Sequence, residues 1–276
     1  MTRSLRSRRS ALAAAALAIA VLAPAASARP SLPSSMAATG DSLTRAAGTG
    51  LLPWTDNPAG SWSTGTATSV NSHYLRLLVL NPKIKGRNYN DARSGAKMVE
   101  LAGQMSTAVA QRVGYVTVEM GGNDVCASSE SAMTSVAAYR AQFQTGMETV
   151  TNGLPSVKVF VASVPNIKHL WDLYHDNLLA QAAWATFGVC QSMLANPTST
   201  ATADVARRAR VLQRSVDYNT ALAEVCAQYR QCLFDGNAAF NAAYTKNDVG
   251  HFDYFHPSLS GQAKFAAGTW AVGYWP

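Results

Sequence analysis

The sequence predicts an α/β fold built on a parallel sheet, because strand-like runs alternate with amphipathic helices along the chain. Residues 115–120 are rich in β-branched side chains and are followed by two glycines, which is typical of a strand and its exit. Residues 157–164 are almost continuously apolar and stop at Pro165, as in a strand buried on both faces. Apolar residues recur at three- and four-residue spacing over residues 98–109 and 136–150, which predicts a helix on each side of the first of these strands. Ligand sites in such folds gather at the carboxyl ends of the strands.

Shorter signals predict the remaining elements. The apolar run over residues 36–40 predicts a first strand, and residues 88–92 and 232–234 predict two short ones. Residues 73–78 resemble one helical turn. Helical spacing over residues 259–270 predicts a closing helix.

A segment rich in Gly, Pro, Thr and Ser, residues 48–68, is predicted to be a surface loop near the end of the first strand. It holds Trp54 and Trp62. These side chains could line a pocket or hold the loop against the protein, and the sequence leaves the two roles open.

Residues 171–231 are predicted to form a mostly helical insertion, and whether it moves as a lid is left open. One stripe of this segment is apolar, which predicts a buried face, and another is basic, which predicts a solvated face. The apolar residues are Val205, Ala209, Leu212 and Val216, and the basic ones are Arg207, Arg208, Arg210 and Arg214.

The first 28 residues have the pattern of a secretory signal peptide. Four arginines precede an unbroken apolar run over residues 11–23, and Ala26, Ser27 and Ala28 are the small residues that a cleavage site requires. A membrane anchor needs about 20 apolar residues, and this run is shorter. We therefore expect a secreted protein with a single domain over residues 29–276 and without stable membrane insertion.

The charge of the expected mature protein is ordinary. Cleavage removes four of the 23 Lys and Arg residues and leaves 19 against 16 Asp and Glu, so the net charge falls from +7 to +3. No basic stripe with interleaved aromatic residues occurs in the sequence, so we expect no nucleic-acid partner. Nothing suggests an obligate protein partner, and a monomer is expected.

The four cysteines are an even number in a chain expected to be exported, which favours two disulfides. Their spacings match no zinc pattern, so no metal site is predicted. Pairing Cys226 with Cys232 closes a short loop and leaves Cys126 to bridge Cys190. This pairing is preferred among the three possible ones, although the sequence alone does not establish it.

Candidate catalytic residues stand far apart in the chain. Ser42 follows the first predicted strand, where a strand passes into a loop, and His256 precedes the closing helix with Asp253 three residues before it. A neutral histidine there would accept the serine proton, and the aspartate could reach the other imidazole nitrogen. Ester hydrolysis also requires donors for the oxyanion of the tetrahedral intermediate. Gly-Asp-Ser alone is a common turn composition, so Ser42 by itself predicts little.

Four short blocks stand in order along the chain. They are Gly40-Asp41-Ser42-Leu43, Gly95, Gly121-Gly122-Asn123-Asp124 and Asp253-Tyr254-Phe255-His256-Pro257. Each block alone is unspecific, but the four in order with the expected strand context are a strong signal. In these blocks and their order the chain resembles the SGNH-hydrolase superfamily, also called GDSL esterases and lipases.

The resemblance implies a flavodoxin-like three-layer α/β/α sandwich with a five-stranded parallel sheet and no metal or organic cofactor. It implies Ser42 as nucleophile, His256 as base and Asp253 as the partner of that base. It also implies an oxyanion hole formed by the backbone N–H groups of Ser42 and Gly95 and the side-chain amide of Asn123. The Gly-x-Ser-x-Gly pattern of α/β-hydrolases is absent from the sequence, which disfavours that fold.

Other polar residues receive structural interpretations. Two aspartates are expected to order loops, and four histidines are expected to be surface or packing residues. They are Asp41, Asp124, His73, His169, His175 and His251.

Together these residues predict a secreted serine esterase or lipase that cleaves carboxylic esters through an acyl-enzyme intermediate. The alternative is a carbohydrate esterase that removes O-acetyl groups from polysaccharide, because Trp54 and Trp62 could stack on sugar rings. A non-catalytic secreted binding protein is disfavoured, because such a protein has no reason to keep the complete set of site residues. The acyl chain length and the alcohol preference are not predicted.

Overall fold

The computed structural model describes residues 30–52 and 54–276 of the 276-residue chain, and the signal peptide predicted over residues 1–28 lies outside them. The described part contains a five-stranded sheet in which every neighbouring pair of strands is parallel. Its order, β2-β1-β3-β4-β5, is that of flavodoxin-like folds, as the resemblance implied. The strands are β1 (Met36–Gly40), β2 (Asn88–Asn90), β3 (Tyr115–Glu119), β4 (Lys158–Val161) and β5 (Cys232–Phe234).

The same part of the chain contains nine α-helices, and the helices predicted around β3 and at the closing segment are confirmed. None of them is long and apolar enough to cross a membrane. They are α1 (His73–Leu80), α2 (Leu101–Gln111), α3 (Gly122–Val125), α4 (Val136–Gly153), α5 (Ile167–Tyr174), α6 (Leu178–Thr186), α7 (Gln191–Leu194), α8 (Thr202–Cys226) and α9 (Leu259–Ala271).

Consecutive strand residues point to opposite sides, so the sheet has two apolar faces, and helices cover both of them. On one side, Val116 and Val159 belong to a core that includes side chains of α2, α4 and α8. On the other side, Tyr115 and Phe160 belong to a second core with side chains of α1 and α9. The result is the three-layer sandwich that the resemblance implied.

The structure contains both disulfides of the preferred pairing. Cys126–Cys190 joins the end of α3 to the start of α7 across 64 residues of sequence. Cys226–Cys232 joins the end of α8 to β5 across 6 residues.

The segment 171–231 is mostly helical as predicted, but the predicted buried face of α8 is wrong. Val205, Ala209 and Val216 are exposed, and Leu212 is only half-buried. The helix instead buries a stripe that is rotated from the apolar one and includes polar side chains. This stripe includes Arg208, Val211, Ser215, Tyr218, Asn219 and Leu222.

The prediction of a solvated arginine face is also wrong for three of the four arginines. Arg207 donates to the carbonyl oxygens of Ser192 and Ala195, each at 2.6 Å, and the buried Arg208 donates to that of Ser199 at 2.6 Å. Backbone carbonyls of the one-turn helix α7 and of the loop that follows it lack helix or strand partners, and guanidinium groups satisfy them. The other two donate to more distant groups, Arg214 to the Thr134 carbonyl and the more exposed Arg210 to the Glu130 carboxylate.

The strand order reverses between β1 and β3, and doubly wound sheets bind ligands in the crevice outside such strand ends. The last residues of these two strands, Gly40 and Glu119, are register partners. Ser42 follows the first and Asn123 follows the second. The fold therefore places two of the predicted site residues side by side.

Candidate active site

Ser42 lies in the tight turn that leaves β1. Gly40 has a φ of +148°, and a Cβ atom there would lie 2.2 Å from the carbonyl oxygen of Glu119, so only glycine fits. Asp41 Oδ1 accepts a hydrogen bond from the backbone N–H of Leu43 at 2.9 Å, which closes the turn around the serine. The turn presents the serine hydroxyl at the carboxyl end of the sheet.

Asp253 and His256 lie in the loop that leads into α9. An antiparallel bridge between Val249 and Pro257 closes this loop. Within it, Asp253 Oδ1 accepts hydrogen bonds from the backbone N–H groups of Phe255 and His256 at 2.9 and 3.0 Å. The aspartate is therefore held by the same short segment that carries the histidine.

The three side chains form a continuous chain of hydrogen bonds. Ser42 Oγ lies 2.8 Å from His256 Nε2, and His256 Nδ1 lies 2.6 Å from Asp253 Oδ2. The side chain of Asp253 is 5% exposed and that of His256 is 17% exposed. The arrangement has the geometry of a nucleophile, a base and a carboxylate that orients the base.

The Asp253 carboxyl is held in its ionised form. Burial raises its pKa, but the hydrogen bond and charge of His256 and the two backbone N–H donors outweigh burial, so the pKa lies below its ordinary value. An ionised carboxylate only accepts hydrogen bonds, so the imidazole proton lies on Nδ1. That tautomer leaves Nε2 as an acceptor for the Ser42 proton.

The predicted oxyanion donors surround the same place. Among the described residues, the backbone N–H groups of Ser42 and Gly95 donate to no other group. A Cβ atom at Gly95 would meet no neighbouring atom, so space does not require glycine there. The φ of +81° favours glycine, because other residues rarely adopt it. Asn123 Nδ2 lies 3.0 Å from the carbonyl oxygen of Ala96 and 3.3 Å from Oδ2 of Asp41. All five predicted site residues thus line one groove.

Two depressions meet at Ser42, Asn123, Phe255 and His256. The groove passes Gly95 and the Cys126–Cys190 disulfide and ends at Trp54. The other depression, named here the apolar pocket, runs beneath α5 and is lined mainly by apolar side chains. These are Leu43, Pro165, Ile167, Leu170, Leu173, Val249 and Pro257.

Residues 36–268 match the family described as GDSL-like Lipase/Acylhydrolase. The chain belongs to this family. The resemblance inferred from the four sequence blocks is confirmed, and the description of the family names the lipase and acylhydrolase activities that the sequence predicted.

Individual proteins to which the chain is similar differ in length and in the activity that their names state. Membrane-associated phospholipase B1 of Mus musculus is 30% identical over 183 residues, which is 54% of this chain but 12% of that protein. An extracellular lipase of Streptomyces rimosus superposes with a TM-score of 0.51 at 17% identity, covering 87% of this chain and 99% of the other. A family two carbohydrate esterase of Clostridium thermocellum, solved with cellohexaose, gives 0.51 at 14% identity, covering 88% and 65%. Both structural likenesses show the shared fold.

The two tryptophans of the loop after β1 have separate roles. Trp62 is completely buried, and its Nε1 donates to Thr44 Oγ1 at 3.2 Å, so it holds the loop to the protein. Trp54 is 46% exposed and lines the groove. Its ring makes edge-to-face contacts with Phe187 and Phe252, at centroid distances of 4.8 and 5.0 Å. Each of the two roles that the sequence left open therefore belongs to one tryptophan.

Asp124 orders the loop after β3, as predicted. Its Oδ2 accepts a hydrogen bond from the backbone N–H of Met98 at 2.8 Å, and its Oδ1 accepts one from Thr134 Oγ1 at 2.7 Å. These bonds tie the Asn123 loop to the start of the α2 segment.

Sequence reasoning did not single out Glu119, which ends β3 beside the turn that carries Ser42. This residue is 1% exposed, and its carboxyl is hydrogen-bonded to that of Asp41. Burial is the main cause that raises the pKa of both carboxyl groups above their ordinary values. A signal was present in the sequence, because a parallel sheet is covered on both faces, and a glutamate that ends a strand of such a sheet has no water to solvate it.

The remaining histidines pack against other side chains or form hydrogen bonds with backbone carbonyl groups. His73 is buried between Tyr115 Oη at 3.0 Å and Thr269 Oγ1 at 2.9 Å, and burial lowers its pKa to about 3. His169 Nε2 lies 2.8 Å from the carbonyl oxygen of Tyr244. Across residues 30–52 and 54–276, no three or more His, Cys, Asp or Glu side chains are grouped so as to hold a metal ion.

Proposed function

We propose that the protein is a serine esterase or lipase that hydrolyses carboxylic esters through an acyl-enzyme on Ser42. The observation that carries this proposal is the 2.8 Å contact between Ser42 Oγ and His256 Nε2, at the point where the groove meets the apolar pocket. A serine hydroxyl is a weak nucleophile on its own, and an adjacent base activates it.

Two half-reactions follow from this arrangement. Ser42 Oγ attacks the ester carbonyl carbon while its proton passes to His256 Nε2, and the tetrahedral intermediate collapses when that proton reaches the departing alcohol oxygen. Water then attacks the acyl-enzyme, giving its proton to His256. The acid leaves as the proton returns to Ser42 Oγ. Asp253 stabilises the imidazolium formed in each half-reaction.

The oxyanion of each tetrahedral intermediate would be held by three donors. The backbone N–H groups of Ser42 and Gly95 have no competing acceptor among the described residues. The Asn123 amide adds a donor without adding charge. Losing one donor of this kind typically costs about 10²- to 10³-fold in kcat.

The two depressions suggest how the two halves of the ester bind. The apolar pocket would take the acyl chain, because moving alkyl groups from water to an apolar lining is favourable by about 0.8 kcal/mol per buried CH₂. The groove toward Trp54 would take the alcohol part. The mostly apolar lining of the pocket therefore favours esters with an acyl chain longer than acetate.

A carbohydrate O-acetylesterase is the second candidate. The exposed ring of Trp54 in the groove favours it, because an aromatic face can stack on a sugar ring. The fold shared with a carbohydrate esterase is compatible with it. An acetyl group would leave most of the apolar pocket empty, so the pocket favours the first candidate.

The proposal extends to where and how the enzyme works. The leader pattern of residues 1–28 and the two disulfides support secretion from the cell. We propose a single domain over residues 29–276 that acts as a monomer, without a nucleic-acid partner or stable membrane insertion.

A p-nitrophenyl ester series from acetate to palmitate, run beside acetate release from acetylated xylan, tests the function. Ser42→Ala should lower kcat by at least about 10³-fold and abolish labelling by a fluorophosphonate, with the far-UV circular dichroism unchanged. An active and labelled Ser42→Ala protein would contradict the nucleophile assignment. Acetate release from xylan without turnover of longer esters would instead support the second candidate.

Filling the apolar pocket with a larger side chain tests whether the acyl chain binds there. Ile167→Trp should reduce kcat/KM for the longest chains while leaving that for acetate nearly unchanged. Val79→Trp, on the exposed side of α1, is the matched control and should alter neither. Equal loss for all chain lengths in Ile167→Trp would place the acyl chain elsewhere.

A further inference from the structure

Glu119 is a buried carboxyl group that the proposed mechanism does not use. It ends β3 opposite Gly40, and no hydrogen-bond donor of the described chain reaches its Oε2. Its carboxyl is hydrogen-bonded to that of Asp41, the residue before the nucleophile. Burying two ionised carboxylates side by side is costly, so this pair must hold a proton.

The surroundings decide which of the two residues carries that proton. Asp41 Oδ1 accepts from the backbone N–H of Leu43 at 2.9 Å, and its Oδ2 accepts from Asn123 Nδ2 at 3.3 Å. Glu119 has one such donor, the hydroxyl of Thr44. Two adjoining buried carboxyl groups do not both ionise. Glu119 is therefore the neutral partner and donates its hydrogen bond to the Asp41 carboxylate.

The same aspartate also touches an oxyanion donor. Asn123 Nδ2 has two hydrogens, of which one faces the Ala96 carbonyl oxygen at 3.0 Å and the other faces Asp41 Oδ2 at 3.3 Å. A substrate oxyanion must compete with Asp41 for the second hydrogen. A carboxylate that shares the proton of a neighbour is a weaker acceptor than one that bears a full charge.

We propose that Glu119 is a positioning residue for ester hydrolysis. The hydrogen bond that it donates to Asp41 weakens the hydrogen bond between Asp41 and the Asn123 amide. That amide is then able to donate to the substrate oxyanion. The inference rests on the proposed function, because it matters only if Asn123 serves the oxyanion hole. Glu119 lines the apolar pocket but is only 1% exposed, and its proposed role is exerted through Asp41 and Asn123.

Loss of the Glu119 proton in alkali would put a second negative charge beside Asp41 and tighten its hold on the amide. The other ionisable groups that face this pair are Asp124, Tyr139, Tyr244 and His256. Burial raises the pKa of both tyrosine hydroxyls, so they remain neutral across neutral and mildly alkaline pH. An alkaline fall in kcat is therefore expected from Glu119.

The test compares Glu119→Gln and Glu119→Ala by kcat and KM on p-nitrophenyl butyrate from pH 5 to 10, with thermal unfolding as the measure of folding. Glutamine keeps a neutral donor that cannot ionise, so kcat at pH 7 should stay within about threefold and the alkaline fall should disappear. Alanine removes the donor, so kcat should drop by about 10- to 100-fold with KM nearly unchanged, as for a weakened oxyanion donor. Glu148→Gln makes the same chemical change on the exposed side of α4 and should alter nothing.

Several results would overturn the inference. A folded Glu119→Ala protein with native kcat and pH profile would make the residue merely structural. If alanine prevents folding, Glu119→Gln decides, because an unchanged alkaline fall rules Glu119 out as its source. A native enzyme whose kcat does not fall up to pH 10 would likewise contradict the inference. Ser42→Ala separates the two proposals, since an inactive Ser42→Ala protein beside unaffected Glu119 variants leaves the proposed function standing and removes only this inference.

Discussion

Asp253 holds His256 at two points at once. Its Oδ2 lies 2.6 Å from Nδ1 of the imidazole, and its Oδ1 accepts the backbone N–H of the same histidine at 3.0 Å. One carboxylate therefore fixes both the ring and the backbone of the proposed base. The orientation of the imidazole is set within four residues of sequence, and Ser42 meets it from another part of the fold.

Asp253→Asn should lower kcat by about 10²- to 10⁴-fold with little change in KM. The asparagine amide can turn an N–H toward Nδ1, which favours the tautomer whose Nε2 is already protonated and cannot accept the Ser42 proton. Steady-state kinetics on p-nitrophenyl butyrate measure the effect. Asp172→Asn, at a largely exposed site on α5, is the control. A native kcat in Asp253→Asn would mean that His256 is oriented by other contacts.

Trp62→Ala and Trp54→Ala should affect different properties. Trp62 is completely buried, so its truncation should cost about 3 to 5 kcal/mol of unfolding free energy. Trp54→Ala should cost less than about 1 kcal/mol and should instead alter kcat/KM between esters that differ in the alcohol part. Urea unfolding and a set of butyrate esters with different alcohols distinguish the two. Equal destabilisation by both changes would refute the separate roles.

His73 should make the protein sensitive to acid. Its pKa is near 3 in the folded protein, against about 6.5 in an unfolded chain, so the unfolded state binds the extra proton between these values. The stability it protects is complete above pH 6.5 and is lost as the pH falls toward 3, by at most about 4 to 5 kcal/mol. Urea unfolding at pH 7, 5 and 4 should show a smaller loss for His73→Gln than for the native protein. Parallel losses in the two proteins would remove His73 as a cause.

The two disulfides should contribute unequally to stability. Chain entropy predicts about 4 kcal/mol for a bridge across 64 residues and about 2 kcal/mol for one across 6. The paired changes Cys126→Ser with Cys190→Ser and Cys226→Ser with Cys232→Ser serve as controls for each other. Only the first pair lines the groove, so only its loss should also lower kcat/KM. The reverse order of unfolding free energies would show that strain or residual structure outweighs loop entropy.

The parts of the fold that depend on a local sequence pattern could be predicted. The parts that depend on how strands pair, or on which backbone carbonyl a side chain reaches, could not. Alternation of strands and helices and the glycine ends of β1 and β3 are local, and so were visible. The contact of Glu119 with Asp41 depends on the pairing of β1 with β3, which no spacing in the sequence reveals. The buried side of α8 was misjudged because Arg208 has an apolar stem and finds a carbonyl partner at Ser199.

The separation of Ser42 from His256 by 214 residues has a consequence for the life of the chain during synthesis. Ribosomes add about 5 to 20 residues per second, so the proposed nucleophile is made roughly 10 to 40 s before the proposed base. Throughout that interval the nascent polypeptide holds Ser42 without the imidazole that is proposed to take its proton. A chain that stops before residue 256 would likewise lack that proposed base.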